Sequence, residues 1–544
     1  MEAAPMLTLR RDDQKMIDQA WSEQTGLPLL QLMEQAATAV CRFFIDRVLL
    51  DERSRTSILV LAGKGQNGGD AYAAARLLTA ENFPVTVVDV FPDSELPAEA
   101  RMNREAWLRL GHEIRTDLPF ENPDSALLNV LASPISYHCP IYVIDGIFGT
   151  GYRADRPLPD RVLAWTRQLI HWRQAGTRVV AIDLPSGVDA DTAQIAPGAV
   201  QADATVTMVR PKTGISATPG RFAAGDILVD RIGIPDFLVE NLLADRKPPV
   251  QIDPAMIRQL RISRHPNSHK GTFGRVLVLG GSAGLPGAAA LAAEAASRAG
   301  AGLVYLGTGE SVAPQVLAAV ADALLTALPE NEPDRLPDLL SNLVAGKQVV
   351  AIGPGAGKAS WLNQALAMVL EKSPQLIIDA DGLNSLARDL ELYQTTLLSR
   401  RLRGLEPAIL TPHPGEFARL APDLDWSDRQ LAAAQLAARL DSIVLLKGAS
   451  TVITHPDGRI WINPTGNAGL AKGGSGDVLC GLIAGLCAQG LGAFEAAAAG
   501  AYLHGLAADL AADLASGGTG SRSLLPGDVL RAFGRAFAVA GWET

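Results

Sequence analysis

The chain has 544 residues, of which 48% are hydrophobic, 19% charged and 5% aromatic, and a formal net charge of -10. This is the composition of a globular α/β enzyme of about two to four domains, and it excludes disordered, fibrous and collagen-like chains. With 48 basic against 58 acidic residues no basic face is predicted, so nucleic acid is not expected as a ligand.

In chain order, the opening run MEAAPMLTLRRDDQ has no apolar core of a secretory signal. The first half then alternates apolar strand runs, Ser57–Ala62, Val85–Phe91, Ile141–Asp145, Arg178–Asp183 and Ala204–Met208, with helical runs such as Ala71–Glu81 and Pro159–Ala175. Such alternation predicts a mostly parallel sheet covered on both faces. Its strand tips read GKGQNGGD (Gly63–Asp70), DGIFGTG (Asp145–Gly151) and DLPSGVD (Asp183–Asp189). Open α/β sheets bind ligands at the carboxyl ends of strands, so three polar tips predict one shared site. The first tip lacks the GK[ST] ending of a P-loop and the spacing of a dinucleotide fingerprint. One Asp at a strand tip is a helix cap; three in succession favour a convergent site.

The run from Pro235 to Asp253, charged and then carrying a Pro pair, reads as the boundary. The second half starts again with strand runs Arg275–Leu279, Leu303–Leu306, Gln348–Ile352, Leu376–Asp379, Ala408–Leu410 and Ile443–Leu446. Thr451–Thr454 and Arg459–Asn463 flank His-Pro-Asp-Gly, a hairpin signal. Val478–Ala493 is short of the roughly 20 residues of a membrane span and reads as a buried helix. The four cysteines, Cys41, Cys139, Cys480 and Cys487, form no CxxC and have no zinc-like His spacing, which fits a reducing cytoplasm.

The chemistry concentrates in AKGGSGDVLCG (Ala471–Gly481). Gly473, Gly474 and Gly476 let backbone N–H groups approach an anion, and the helix beginning near Asp477 adds its positive end. Asp477 is placed to take a hydroxyl proton while those groups stabilise a phosphoryl in flight. An isolated GxGD is equally well a turn with a helix cap. Its neighbours tip the balance: Lys447-Gly-Ala-Ser-Thr451, Gly353-Pro-Gly-Ala-Gly357, Asp379-Ala-Asp-Gly-Leu-Asn384 and Thr411-Pro-His-Pro-Gly-Glu416 each follow an apolar run. His413, between two prolines, favours a ligand contact, and Cys480 reads as core.

The GxGD turn resembles the anion hole of the ribokinase-like superfamily. The ordered set HKGTFGRVLVLGGSAGLPGAA (His269–Ala289), RAGAGLV, IGPGAG, DADGLN, LTPHPGE, LLKGAST and GNAGLAKGGSGDVLCG resembles the nicotinamide nucleotide hydrate dehydratases over most of Asn267–Gly485. The tips NGGD, DGIFGTG and DLPSGVD resemble the hydrate epimerases over roughly Met16–Gly233. The resemblance implies two α/β domains, each a mostly parallel sheet flanked by helices: a Rossmann-like three-layer epimerase domain over 1–240 and a ribokinase-like dehydratase domain over 241–544. It implies Asp477 as catalytic base. It places nucleotide on Gly476 and on Lys447, Gly448, Ala449, Ser450 and Thr451, and the hydrated dinucleotide on Ala288, Gly355 and His413, with Gly353 the alternative to Gly355. In the epimerase half it implies substrate contacts from Gln66, Asn67, Gly68, Gly69, Asp70, Gly149, Thr150, Gly151, Tyr152, Arg153, Ala154, Asp155 and Asp183. Gln66 stands where Asn is common. Asp183 is the candidate acid/base, and Asn67, Asp145 and Ser186 would give a potassium ion hard oxygen ligands.

The implied reaction repairs NADH hydrate and NADPH hydrate, with ADP as phosphoryl donor (ATP the alternative) and magnesium. The implied setting is a cytoplasmic homo-oligomer with no membrane or nucleic-acid partner. Two rivals remain from the residues: a kinase of a small alcohol, which shares GxGD but releases a stable phosphorylated product, and a non-catalytic first half, in which the strand-tip Asp and Asn would tend to be lost. A plain NAD-dependent dehydrogenase lacks its glycine fingerprint here.

Overall fold

The computed structural model describes residues 6–116 and 142–543. The chain forms two compact units, one spanning Leu7–Pro249 and the other beginning at Val250. The division falls within the Pro235–Asp253 stretch. Cys139 and Ile141 lie outside the described residues.

In the first unit, seven parallel strands are β1 (Ile58–Ala62), β2 (Val85–Asp89), β3 (Ile114–Arg115), β4 (Tyr142–Gly146), β5 (Arg178–Ile182), β6 (Ala204–Met208) and β7 (Asp226–Asp230), in the order β3-β2-β1-β4-β5-β6-β7. Successive side chains of a strand point to opposite faces. Ile58, Val60 and Ala62 therefore join one core, under α1 (Arg11–Thr25), α2 (Leu29–Ile45) and α3 (Gln66–Ala80), while Leu59 and Leu61 join another with Trp165, Leu169 and Trp172 of α4 (Asp160–Gln174). Burial on both faces is why the strands read as continuous apolar runs. Strands β3 and β7 had no counterpart in the sequence reading. The second of these is largely half-exposed, so its polar residues break the apolar run. The tip GKGQNGGD is a turn only as far as Gly65, because Gln66–Asp70 form the first turns of α3. A Cβ on Gly68 would lie 1.9 Å from the Gly63 carbonyl oxygen, so the glycine lets the helix start hard against the strand end.

The second unit holds β8 (Val250–Gln251), β9 (Arg275–Leu279), β10 (Leu303–Gly309), β11 (Leu324–Leu328), β12 (Val349–Ile352), β13 (Gln375–Ile378), β14 (Ile409–Leu410), β15 (Ile443–Leu446), β16 (Val452–Thr454) and β17 (Ile460–Ile462). They lie in the order β8-β17-β16-β15-β14-β13-β12-β9-β10-β11, parallel from β15 through to β11, with β16 and β17 antiparallel, as the hairpin signal predicts. Alternate residues again feed two cores: Val276 and Val278 on one face, Leu277 and Leu279 on the other. The first face is covered by α5 (Pro286–Arg298), α6 (Ser475–Ala488) and α7 (Ala493–Ala512). The apolar run after Asp477 is a buried helix only as far as Ala488; it breaks at 489–492 and Ala493 opens α7, while Cys480 lies in the core face of α6. Helix α6 packs on α5 through small residues: a Cβ on Gly481 would lie 2.0 Å from the Ala292 carbonyl oxygen. Among the described residues no helix is long and apolar enough to cross a membrane.

Candidate functional sites

In the first unit the strand tips open onto a cleft of about 810 Å³. Gln66, Asn67, Asp70, Gly149, Thr150, Gly151, Tyr152, Arg153 and Asp183 line it, so three separate tips do converge. Gly68, Gly69, Ala154 and Asp155 are not among its lining residues. Gly69 faces Met33 and the Ala100 backbone, and the Ala154 N–H donates to Asp189 Oδ2. Arg11, which the sequence reading passed over, ties the 149–155 loop down. Its guanidinium donates to the carbonyls of Thr150 and Tyr152, at 2.5 and 2.8 Å, and lies 3.9 Å from Asp189.

Asp183 follows β5 in the left-handed region, φ 65°, which a non-glycine residue adopts only when its surroundings enforce it. Its carboxylate pairs at 2.5 Å with Lys212, a fully buried lysine that no sequence signal flagged. Behind the cleft, Asp145, next to last in β4, has no exposed surface. Its Oδ1 accepts from the Ser186 hydroxyl at 2.6 Å and its Oδ2 from the Ser186 N–H at 2.7 Å. Burial raises its pKa to about 6 against these hydrogen bonds. Asn67 closes the group: a Cβ on Gly149 would lie 3.2 Å from its amide oxygen, and among the described residues its buried Nδ2 has no hydrogen-bond partner. An amide oxygen, a hydroxyl and one buried carboxylate that has no cationic partner among the described residues fit a large monovalent cation. Among the described residues no cluster of three or more His, Cys, Asp or Glu is arranged to hold a metal.

In the second unit, Asp477 stands in the first turn of α6, whose cap Gly474 has φ 95°. The first-turn N–H groups of a helix have no partner within it and face outward as donors. Burial raises the Asp477 pKa to about 7, and nearby Asp379, Asp381 and Glu416 add to the rise while Lys447 opposes it. Lys447, after β15, reaches across to Asp379, after β13, at 2.8 Å, and lies 3.8 Å from Glu416. Thr411 Oγ1 donates to the same Asp379 oxygen at 2.7 Å. A Cβ on Gly476 would lie 3.4 Å from Lys447 Nζ, so the glycine keeps the helix end open to the lysine. Asp379 and Glu416 belong to motifs the sequence displayed, but their role as partners of Lys447 needed the fold.

The remaining predicted residues divide. Gly355, at φ 60°, sits against Ala288, whose Cβ would be 2.8 Å from an added Cβ; Gly353 is backed by the Asp379 carbonyl, 1.9 Å from where its Cβ would be. His413 is half-exposed and caps the helix over Pro414–Leu420. Its Nδ1 accepts from the Gly415 and Glu416 N–H groups, leaving Nε2 3.4 Å from Glu416. Its rigid setting therefore comes from a cap as well as from two prolines. Along Lys447–Thr451, Arg429 donates to the Lys447 carbonyl at 3.0 Å and lies flat where a Gly448 side chain would be. The Cys480 thiol is pushed well up by burial and stays protonated.

Comparison with known proteins agrees with this layout. Residues 276–525 match the family described as NAD(P)H-hydrate dehydratase, and residues 29–214 the family described as YjeF-related protein N-terminus. The bifunctional NAD(P)H-hydrate repair enzyme of Moorella thermoacetica is 38% identical over 94% of this chain and 93% of its own. That of Escherichia coli is 36% identical over 92% of this chain and 89% of its own. Among solved structures, an ADP/ATP-dependent NAD(P)H-hydrate dehydratase from Bacillus subtilis is 32% identical, covering 53% of this chain and 96% of that one, with a TM-score of 0.43. The chain belongs to the family of bifunctional NAD(P)H-hydrate repair enzymes.

Proposed function

We propose that the first unit interconverts the R and S epimers of NADH and NADPH hydrate, and that the second dehydrates the S epimer with conversion of ADP to AMP and phosphate. The observation that carries the reading is Asp477 at a glycine-capped helix N-terminus, beside the Lys447–Asp379 pair. A hydroxyl on the hydrated ring is a poor leaving group. Asp477 takes its proton as the oxygen attacks the phosphoryl, and the N–H groups of the first turn of α6 stabilise the charge in flight. The phosphorylated oxygen is then a good leaving group, and the ring nitrogen's electrons expel it as phosphate, restoring the dihydropyridine. Gly476 and Lys447–Thr451 would hold the nucleotide; Ala288, Gly355 and His413 would line the pocket of the hydrate. Magnesium suits carboxylates shared with nucleotide phosphates, and Asp379 and Glu416 are the candidates to hold it.

Hydration creates a stereocentre, so an epimerase alongside makes both forms repairable. In the first unit the cleft residues, with Asp183 as acid/base, would handle the ring, and Asn67, Asp145 and Ser186 would hold potassium. Held there, the cation would supply a counter-charge to the buried Asp145 carboxylate.

The test is ultraviolet recovery of reduced nicotinamide from a mixed-epimer hydrate, with ADP and then ATP, in magnesium and potassium. Full recovery is expected with ADP. Recovery that stops at the one-epimer share removes the epimerase reading. No recovery with either nucleotide sinks both and points to a small-alcohol kinase.

A further inference from the structure

We propose that Asp183 and Asp70 are the base and the acid of the epimerisation, and that the buried Lys212 is the positioning residue that sets their difference; this rests on the epimerase reading of the first unit. Among the described residues every donor to Asp183 goes to one oxygen: Oδ1 accepts from Lys212 Nζ at 2.5 Å, Thr207 Oγ1 at 3.0 Å and the Met208 N–H at 3.3 Å. Oδ2 is left for the cleft. The Lys212 ammonium is spent in turn on Asp183, the Met208 carbonyl at 2.9 Å and Thr207 at 3.3 Å, with no exposed surface. It has no proton to offer a substrate, so it acts through Asp183.

Asp70, on the second turn of α3, lines the same cleft and takes no hydrogen bond from the described residues. Burial pushes its pKa well up, with the Asp183 and Asp18 carboxylates adding to the rise and Lys212 alone opposing it. Asp18, from α1, is raised to about 6 by burial against a hydrogen bond from Gln14. The other charges around the cleft, Arg11, Lys15, Lys64, Glu99, Arg153 and Arg156, lie along its lining. One carboxylate therefore has a dedicated cation and its neighbour has none. A carboxylate held by a buried ammonium and a neighbour that burial keeps protonated suit the roles of base and acid.

The step balances without any further reactant. Water added at the carbon beside the ring nitrogen makes a carbinolamine. Asp183 Oδ2 takes the hydroxyl proton, and the O–H electron pair becomes the second bond of a carbonyl. The carbon–nitrogen bond breaks, and its pair stays on nitrogen, which takes the Asp70 proton. The opened aldehyde turns about its carbon–carbon bond. Closure by the reverse transfers returns both protons and yields the other epimer.

The experiment follows the interconversion of one purified epimer by chromatography, across pH, for the full chain and for Asp70→Asn, Lys212→Met and Lys212→Arg. If the wild-type chain does not interconvert the epimers, the epimerase reading fails and not the pairing. If it does, Asp70→Asn is expected to lose roughly 10²-fold or more in kcat with KM within a few-fold. Its residual rate should also lose the fall at high pH that marks an acid. Lys212→Met should lose a similar factor in kcat, and Lys212→Arg should regain at least a tenth of the wild-type rate. Asp70→Asn within threefold of wild type, an unchanged high-pH limb in that variant, or Lys212→Met at wild-type kcat overturns the proposal. Asp70→Glu covers the case in which the Asn variant does not fold: it should keep the high-pH limb at reduced kcat, and a lost limb counts against the acid role.

Discussion

The two units set a carboxylate at the mouth of a parallel sheet by different means. In the second, Asp477 rides on a helix N-terminus; its lysine, Lys447, is held by Asp379 and lies near Glu416. In the first, Asp183 hangs from a strand tip at positive φ and pairs with the buried Lys212. A helix end supplies donors for a phosphoryl that arrives and leaves. A strand-tip carboxylate pinned through one oxygen leaves the other to accept a proton, which suits proton transfer without phosphate. The difference in support thus tracks the difference in chemistry proposed for each unit.

The comparison breaks hardest at Asp477. Asp477→Asn should lower dehydration by roughly 10²–10⁴-fold, read as nicotinamide absorbance, and leave epimer exchange intact. Loss of both would mean that the units are not independent. In the wild type, the dehydration kcat/KM should rise with pH through about 7 and level off above it, because the base must be ionised.

The same shift affects stability, with a definite sign. A carboxyl whose folded pKa is raised favours the fold below its unfolded value near 4, and that contribution is lost as pH rises through about 7. Asp477→Asn should therefore stabilise the second unit at pH 8 by on the order of 2–4 kcal/mol and change it little at pH 4, read as melting temperature at the two pH values. A smaller effect follows from packing. Gly481→Ala would put its Cβ 2.0 Å from the Ala292 carbonyl oxygen, part α6 from α5, and lower that unit's stability by about 1–3 kcal/mol in a denaturant melt. The gentlest test is the cation. Replacing potassium with a bulky quaternary ammonium should slow epimer exchange by about tenfold, or about 1.4 kcal/mol, without changing dehydration at fixed magnesium.

The sequence displayed what depends on local pattern. Buried parallel strands are continuous apolar runs, so β1, β5, β9 and β15 stood out, as did the polar tips that follow them. The motifs AKGGSGDVLCG and NGGD were legible because a glycine is required wherever backbone meets backbone, and Gly68 and Gly481 are placed that way. Short strands such as β3 and β8 lacked the run, and the start of α3 was hidden among glycines that disfavour a helix unless packing demands it. Lys212 and Asp18 are ordinary charged residues by sequence, and Asp379 and Glu416 stood in motifs without a visible partner. What makes them partners is closeness across the sheet: Lys447 and Asp379 are 68 residues apart, and Lys212 and Asp183 29 apart. The sequence alone determined which residue types stand at the strand tips. The tertiary structure decided which of them share a cleft and a counter-ion, because burial and Coulomb interaction depend on distance in space.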